Sequence, residues 1–166
     1  MTSYVNRGYE IADQFRARHL PVVMGGVHPS FMPQEALKHC DAVVIGEVEL
    51  VIDKLLDDLE QGSMRGIYKS DALHPMVGMP MPRYELLKKS RYVNRILVQT
   101  SRGCHQDCTF CAEPLMNRLK LRFRPVDEVF VRSRIPVHRY KALAVAWLHG
   151  AGPEQASTRF AVQTRR

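Results

Sequence analysis

Pro21-Val22-Val23-Met24-Gly25-Gly26 decides how the first half of the chain is read. Three consecutive apolar residues follow a proline and stop at a glycine pair. Such a run is a strand buried on both faces, ended by a turn. The pattern recurs at Asp41-Ala42-Val43-Val44-Ile45-Gly46-Glu47. Between the two runs, Pro33 to His39 predicts a short helix, with Pro33 in its first turn and Ala36 and Leu37 facing inward. Upstream, Tyr9 to His19 places Ile11, Ala12 and Phe15 at helical spacing. Downstream, Leu50 to Leu59 predicts an amphipathic helix closed by Gly62. Helix, strand, helix, strand, helix with short joints is the rhythm of an α/β domain with a parallel sheet. Ligands of such sheets bind at the carboxyl ends of the strands. That puts Gly25-Gly26-Val27-His28-Pro29-Ser30 and Gly46-Glu47-Val48-Glu49 where a ligand would lie. Taken alone, the glycines are tight turns, and a lone histidine is more often a capped or surface residue.

A different chemistry stands at Ser101-Arg102-Gly103-Cys104-His105-Gln106-Asp107-Cys108-Thr109-Phe110-Cys111. Three of the four cysteines occur here, spaced Cys-x-x-x-Cys-x-x-Cys. Three thiols this close cannot all pair with one another, whereas thiolates in a short glycine-flanked loop converge on one soft metal centre. Three ligands leave a coordination position open, as a reactive centre requires. The alternative is a surface loop with incidental cysteines or a single disulfide. The loop comes after Ile96-Leu97-Val98-Gln99-Thr100, which reads as a strand.

This stretch resembles the cluster motif of radical S-adenosylmethionine enzymes. The resemblance implies that Cys104, Cys108 and Cys111 bind a 4Fe-4S cluster. It implies that S-adenosylmethionine completes that cluster and is cleaved reductively, and that Phe110 packs near its adenine. An electron donor such as a flavodoxin or ferredoxin is implied as partner. The amino-terminal segment is similar to the second half of the cobalamin-binding domain found in one branch of that family. Members of that branch commonly read Gly-Gly-x-His-Pro-Ser/Thr and then Gly-Glu-Gly-Glu. Here Gly25, Gly26 and His28 would border the cobalamin, and Val48 replaces a glycine. His105 stands where many members have proline.

The implied organisation is α/β: a partial Rossmann-like, cobalamin-binding type parallel sheet over residues 1–62, then a connection at 63–95. The first βα unit of a partial TIM-like barrel with the cluster loop would come next, at 96–131. In the connection, Met76, Met79 and Met81 alternate with prolines and read as adaptable packing. Tyr84 to Lys89 is a short helix or turn. Arg122 and Arg124 precede Pro125-Val126-Asp127-Glu128, a proline-led helix start with acid in its first turn. The arginines are either a solvated edge or a cofactor contact. The family pattern covers residues 5–131, and the expectation is a chain truncated at both ends, with at most trace cleavage activity.

The net charge of +7 belongs mostly to residues 132–166, which carry seven Lys/Arg against Glu154 alone. This tail shows no clear period and is expected to pack poorly, with at most a helical turn or two at Ala142 to Leu148. Charge confined to a tail argues against a specific nucleic-acid partner. No window is apolar enough for a membrane span, and Met1 to Glu10 has no signal-peptide core. Clustered thiols then point to the cytoplasm, where they stay reduced. The rival reading is a non-catalytic metal-binding fragment holding iron–sulfur or zinc. Zinc would use His105 with the cysteines, although adjacent Cys104 and His105 serve one tetrahedral ion poorly.

Cys40 stands apart from the loop, at a predicted helix end, as a small buried apolar residue. Cys40→Ala should therefore leave the absorbance of an anaerobically reconstituted cluster unchanged, and Cys108→Ala should abolish it. Loss in the first variant or retention in the second would reverse the assignment.

Overall fold

The computed structural model describes residues 4–80, 83, 86, 95–133 and 142–146. The chain divides into two units, Met1–His74 and Pro75–Arg166.

In the first unit, helix α1 spans Val5–Arg16 and strand β1 Val23–Met24. Short helices α2 (Val27–Phe31) and α3 (Pro33–Ala36) lead to strand β2, Ala42–Ile45. A 3₁₀ turn at Val48–Leu50 precedes α4 (Ile52–Glu60), and strand β3 is Gly66–Lys69. The three strands form a parallel sheet in the order β1-β2-β3. β2 is central, which explains why its residues are apolar without alternation. Ala42 and Val44 pack with Val51, Leu55, Met64 and Tyr68. Val43 packs on the opposite face with Tyr9, Ala36 and Cys40. Helices thus cover both faces, α4 on one side and α1 and α3 on the other.

Both long helices stop by the same device. Ser63 N–H donates to Asp58 O at 2.8 Å and Gly62 N–H to Leu59 O at 3.1 Å, with Gly62 at φ +68°. This double closure satisfies the last carbonyls of α4. α1 ends likewise through Leu20 N–H to Phe15 O and His19 N–H to Arg16 O, but with His19 rather than glycine in the left-handed conformation.

Several elements of this unit differ from the sequence reading, beginning with α1, which spans Val5–Arg16 where a helix over Tyr9 to His19 is expected. The helix expected at Pro33 to His39 is confined to Pro33–Ala36, and α2 precedes it. Pro29 lies in the first turn of α2, where a missing N–H costs little. Gly66–Lys69, read as part of the connection, is a strand paired with β2 along its whole length.

In the second unit, β4 is Arg95–Gln99 and β5 Ser101–Arg102. Next come helix α5 (Glu113–Asn117), strand β6 (Arg122–Phe123) and helix α6 (Val126–Ser133). β5 and β6 pair antiparallel, Arg102 opposite Arg122. The tail departs from expectation at Ala142–Ala146. It forms strand β7, parallel to β4 in an unbroken five-residue register, rather than helical turns. β4, α6 and β7 therefore make a β–α–β unit. The remainder of the tail and most of Tyr84 to Lys89 lie outside the described residues.

Leu55 is 5% exposed and its neighbour Leu56 45%. Leu55→Ala should cost about 2–5 kcal/mol, whereas Leu56→Ala should stay within about 0.5 kcal/mol. Urea unfolding of the two variants measures the contrast, and equal losses would contradict the placement of α4.

Candidate functional site

At the carboxyl ends of β1 and β2 the two turns are tied together. Gly26 has φ +96° and ψ −169°, a conformation open essentially to glycine alone. Gly25 has no such demand; a Cβ there would meet Val44 at an ordinary 3.7 Å. Ser30 Oγ donates to Gly26 O at 2.7 Å and accepts from Gly46 N–H at 3.0 Å. One hydroxyl thus joins the turn after β1 to the turn after β2. Glu47 accepts from His74 N–H at 2.7 Å.

His28 points into the packing between α1 and α3. Its Nε2 lies 3.1 Å from Tyr9 Oη and 3.2 Å from Glu35 Oε1. Tyr9 O–H donates to the same carboxylate oxygen at 2.9 Å, so Nε2 is the nitrogen that donates toward the pair. Tyr9 stacks on His39, ring centroids 4.2 Å apart, and His39 Nδ1 lies 2.9 Å from Asp13 Oδ2. Burial, and then the bond to Glu35, raise the Tyr9 phenol from 10.0 to about 12. Bonds from Tyr9 and then His28 hold the Glu35 carboxyl below its ordinary range.

In the second unit the cysteine loop leaves β5 through Gly103, at φ +94°. A Cβ on Gly103 would collide with the Lys120 carbonyl and lie 3.2 Å from Asn117 Cβ. Cys104, Cys108 and Cys111 are free thiols, with Cys108 exposed and the other two half-buried. Gln106 N–H approaches Cys104 Sγ at 3.4 Å, and Cys111 N–H donates to Cys108 O at 3.0 Å. Phe110 is 91% exposed beside the third cysteine. Among the described residues no three His, Cys, Asp or Glu side chains are gathered into a metal-binding group. The donor set nevertheless suits a soft metal cluster, because all three thiols belong to one loop and none is committed to a disulfide. Cys40 is buried and hydrogen-bonds Ala36 O; burial chiefly pushes its thiol upward, away from the thiolate a metal needs.

The stem behind the loop is polar and packed. Asn117 Nδ2 donates to Glu113 Oε1 at 2.8 Å, and its Oδ1 accepts from the Arg122 guanidinium. Arg124, 6% exposed, gives Nε–H to Gln99 O at 3.0 Å and pairs with Glu128 at 3.2 Å. It also lies 3.4 Å from Met79 Sδ. Arg124 is therefore neither a solvated edge nor turned outward toward a cofactor. It fastens the start of α6 to the end of β4.

The chain is 33% identical across 137 residues to the bacteriochlorophyllide d C-12(1)-methyltransferase of Chlorobaculum tepidum, covering 80% of this chain and 30% of that enzyme. It is 36% identical across 140 residues to the C-8(2)-methyltransferase of the same organism, covering 81% and 31%. The chain is related to methyltransferases. The hopanoid C-2 methylase of Rhodopseudomonas palustris is 30% identical over 114 residues, covering 66% of this chain and 21% of the methylase. The chain spans about 30% of the length of the first two relatives. No protein-family profile matches it, and no solved structure does. No helix among the described residues is long and apolar enough to cross a membrane.

The sequence singles out the two strand-end turns, Ser30 among their residues, and the three thiols, but not Tyr9, Glu35 or Asn117. Tyr9 had a usable signal: it lies on the inward stripe of α1, three residues before buried Ala12. Glu35 and Asn117 had none, because their partners are set by tertiary packing.

The Tyr9 shift gives a pH dependence. Folding favours the protonated phenol, so its stabilisation is full below pH 10.0 and is lost as pH rises toward about 12. The urea midpoint of the native chain should fall more steeply across that window than that of Tyr9→Phe. Equal slopes would show that Tyr9 is not held as described.

Proposed function

We propose that the chain carries the cluster loop of a radical S-adenosylmethionine methyltransferase. The observation that carries this reading is the set of three uncommitted thiols, Cys104, Cys108 and Cys111, in a single loop of a chain related to methyltransferases. When bound there, a 4Fe-4S cluster would supply the electron that cleaves S-adenosylmethionine. The residues present would act around it. Two half-buried thiolates and one exposed thiolate would ligate iron. Phe110, standing free beside Cys111, would offer an apolar face to the adenine. An electron donor of flavodoxin or ferredoxin type would approach this exposed loop, in a compartment that keeps thiols reduced.

In the first unit, Gly25, Gly26 and His28 would border a cobalamin. His28 would shape that border through Tyr9 and Glu35 rather than by reaching a metal, since its Nε2 is already engaged. The relatives are named for methylating bacteriochlorophyllide d and a hopanoid, and a methyl acceptor of that kind is the proposed substrate class.

Anaerobic reconstitution with ferrous iron and sulfide tests the ligand set. Cys104→Ala, Cys108→Ala and Cys111→Ala should each lose the cluster, and His105→Ala should retain it at the native level. A chain that takes up zinc in preference to iron, or that needs His105, would support a non-catalytic metal site instead.

A further inference from the structure

The cysteine loop is unevenly held. Its thiol-bearing half makes few bonds within the loop, whereas its return half is fastened. The excursion starts and ends at the facing pair Arg102 and Arg122. Between them, α5 reverses through Arg118 and Leu119, both at positive φ, which brings Lys120 against Gly103. Asn117 lies at the centre of this closure. It is only 7% exposed, and a buried amide must find partners on both of its ends. Its NH₂ goes to Glu113, two residues beyond Cys111, and its oxygen to Arg122 on the strand that closes the base. Its Cβ also lies close to where Gly103, the residue before Cys104, lacks a side chain. One side chain therefore reaches the residue before the first thiol, the helix beyond the third, and the strand at the base of the loop.

We propose that Asn117 is a positioning residue for the thiol loop, acting through Arg122 and Glu113 to hold Cys104 and Cys111 at a fixed separation. Its importance for a cluster rests on the reading of these cysteines as ligands; the fastening itself does not. Cys108, at the exposed tip, lies outside its direct reach.

The test uses the full chain without metal. Native protein, Asn117→Leu, Arg122→Lys and the double variant are treated with iodoacetamide, and alkylation of each cysteine is tracked by peptide mass spectrometry. Amide exchange at Leu97 and Val145 reports whether the β4–β7 pair stays intact. Arg122→Lys should raise the rates at Cys104 and Cys111 roughly tenfold, the worth of one lost buried hydrogen bond, Asn117→Leu, which also releases Glu113, by at least as much, and both should leave Cys108 near its native rate. The double variant should go no further than Asn117→Leu alone, because the bond that Arg122→Lys weakens is already lost with the amide. Native rates in Asn117→Leu, or additive effects, would overturn the proposal. If Asn117→Leu also loses exchange protection in β4, Arg122→Lys decides: faster Cys104 and Cys111 with β4 still protected supports the fastening, and any other result overturns it. Iron uptake by the same proteins is read separately. A native chain that takes no iron yet shows the thiol pattern would defeat the ligand reading and leave the fastening standing.

Discussion

Strand β2 has apolar neighbours on both faces, and the first unit is built on that constraint. Val43 is fully buried on one side, and Ala42 and Val44 on the other. A strand in that position must be short and uninterrupted, must pair along both edges, and must receive helices above and below. β1 and β3 meet the second demand, and α1, α3 and α4 the third. The strand-end turns lie where they do because β2 ends at Gly46, whose φ of +80° reverses the chain without strain.

The parts of this architecture that were legible in the sequence are those where local and tertiary preference agree. Ala42-Val43-Val44-Ile45 is apolar at every position because every position is packed. Gly62 ends α4 because the closing turn needs a left-handed residue, and glycine adopts it freely. β3 was not legible. Of its four residues only Tyr68 is buried, so Gly66-Ile67-Tyr68-Lys69 gives neither a continuous run nor a long alternation. β7 was misread for the opposite reason. Ala142-Leu143-Ala144-Val145-Ala146 is rich in helix formers, and pairing with β4 overrides that preference, as tertiary context commonly does.

The candidate site divides in the same way. Three cysteines in eight residues stand out through their type and spacing, before any fold is known. The residues that shape the loop do not announce themselves. Arg124 reads as a solvated edge or a cofactor contact until its contacts with Gln99, Glu128 and Met79 are seen, and an isolated Asn117 has no pattern at all. Chemistry of ligation is local to a motif, whereas the scaffolding of a motif is assembled from residues with partners on other elements.

Ser30 adds a mechanical consequence. Its hydroxyl bonds both the Gly26 carbonyl and the Gly46 amide, so the turns after β1 and β2 behave as one rim and not as two independent flaps. Only the second of these bonds crosses from one turn to the other, since Ser30 N–H also donates to Gly26 O and closes the first turn on itself. Parting the rim would therefore cost the Gly46 bond alone, and the turn after the first strand would swing away as an intact unit.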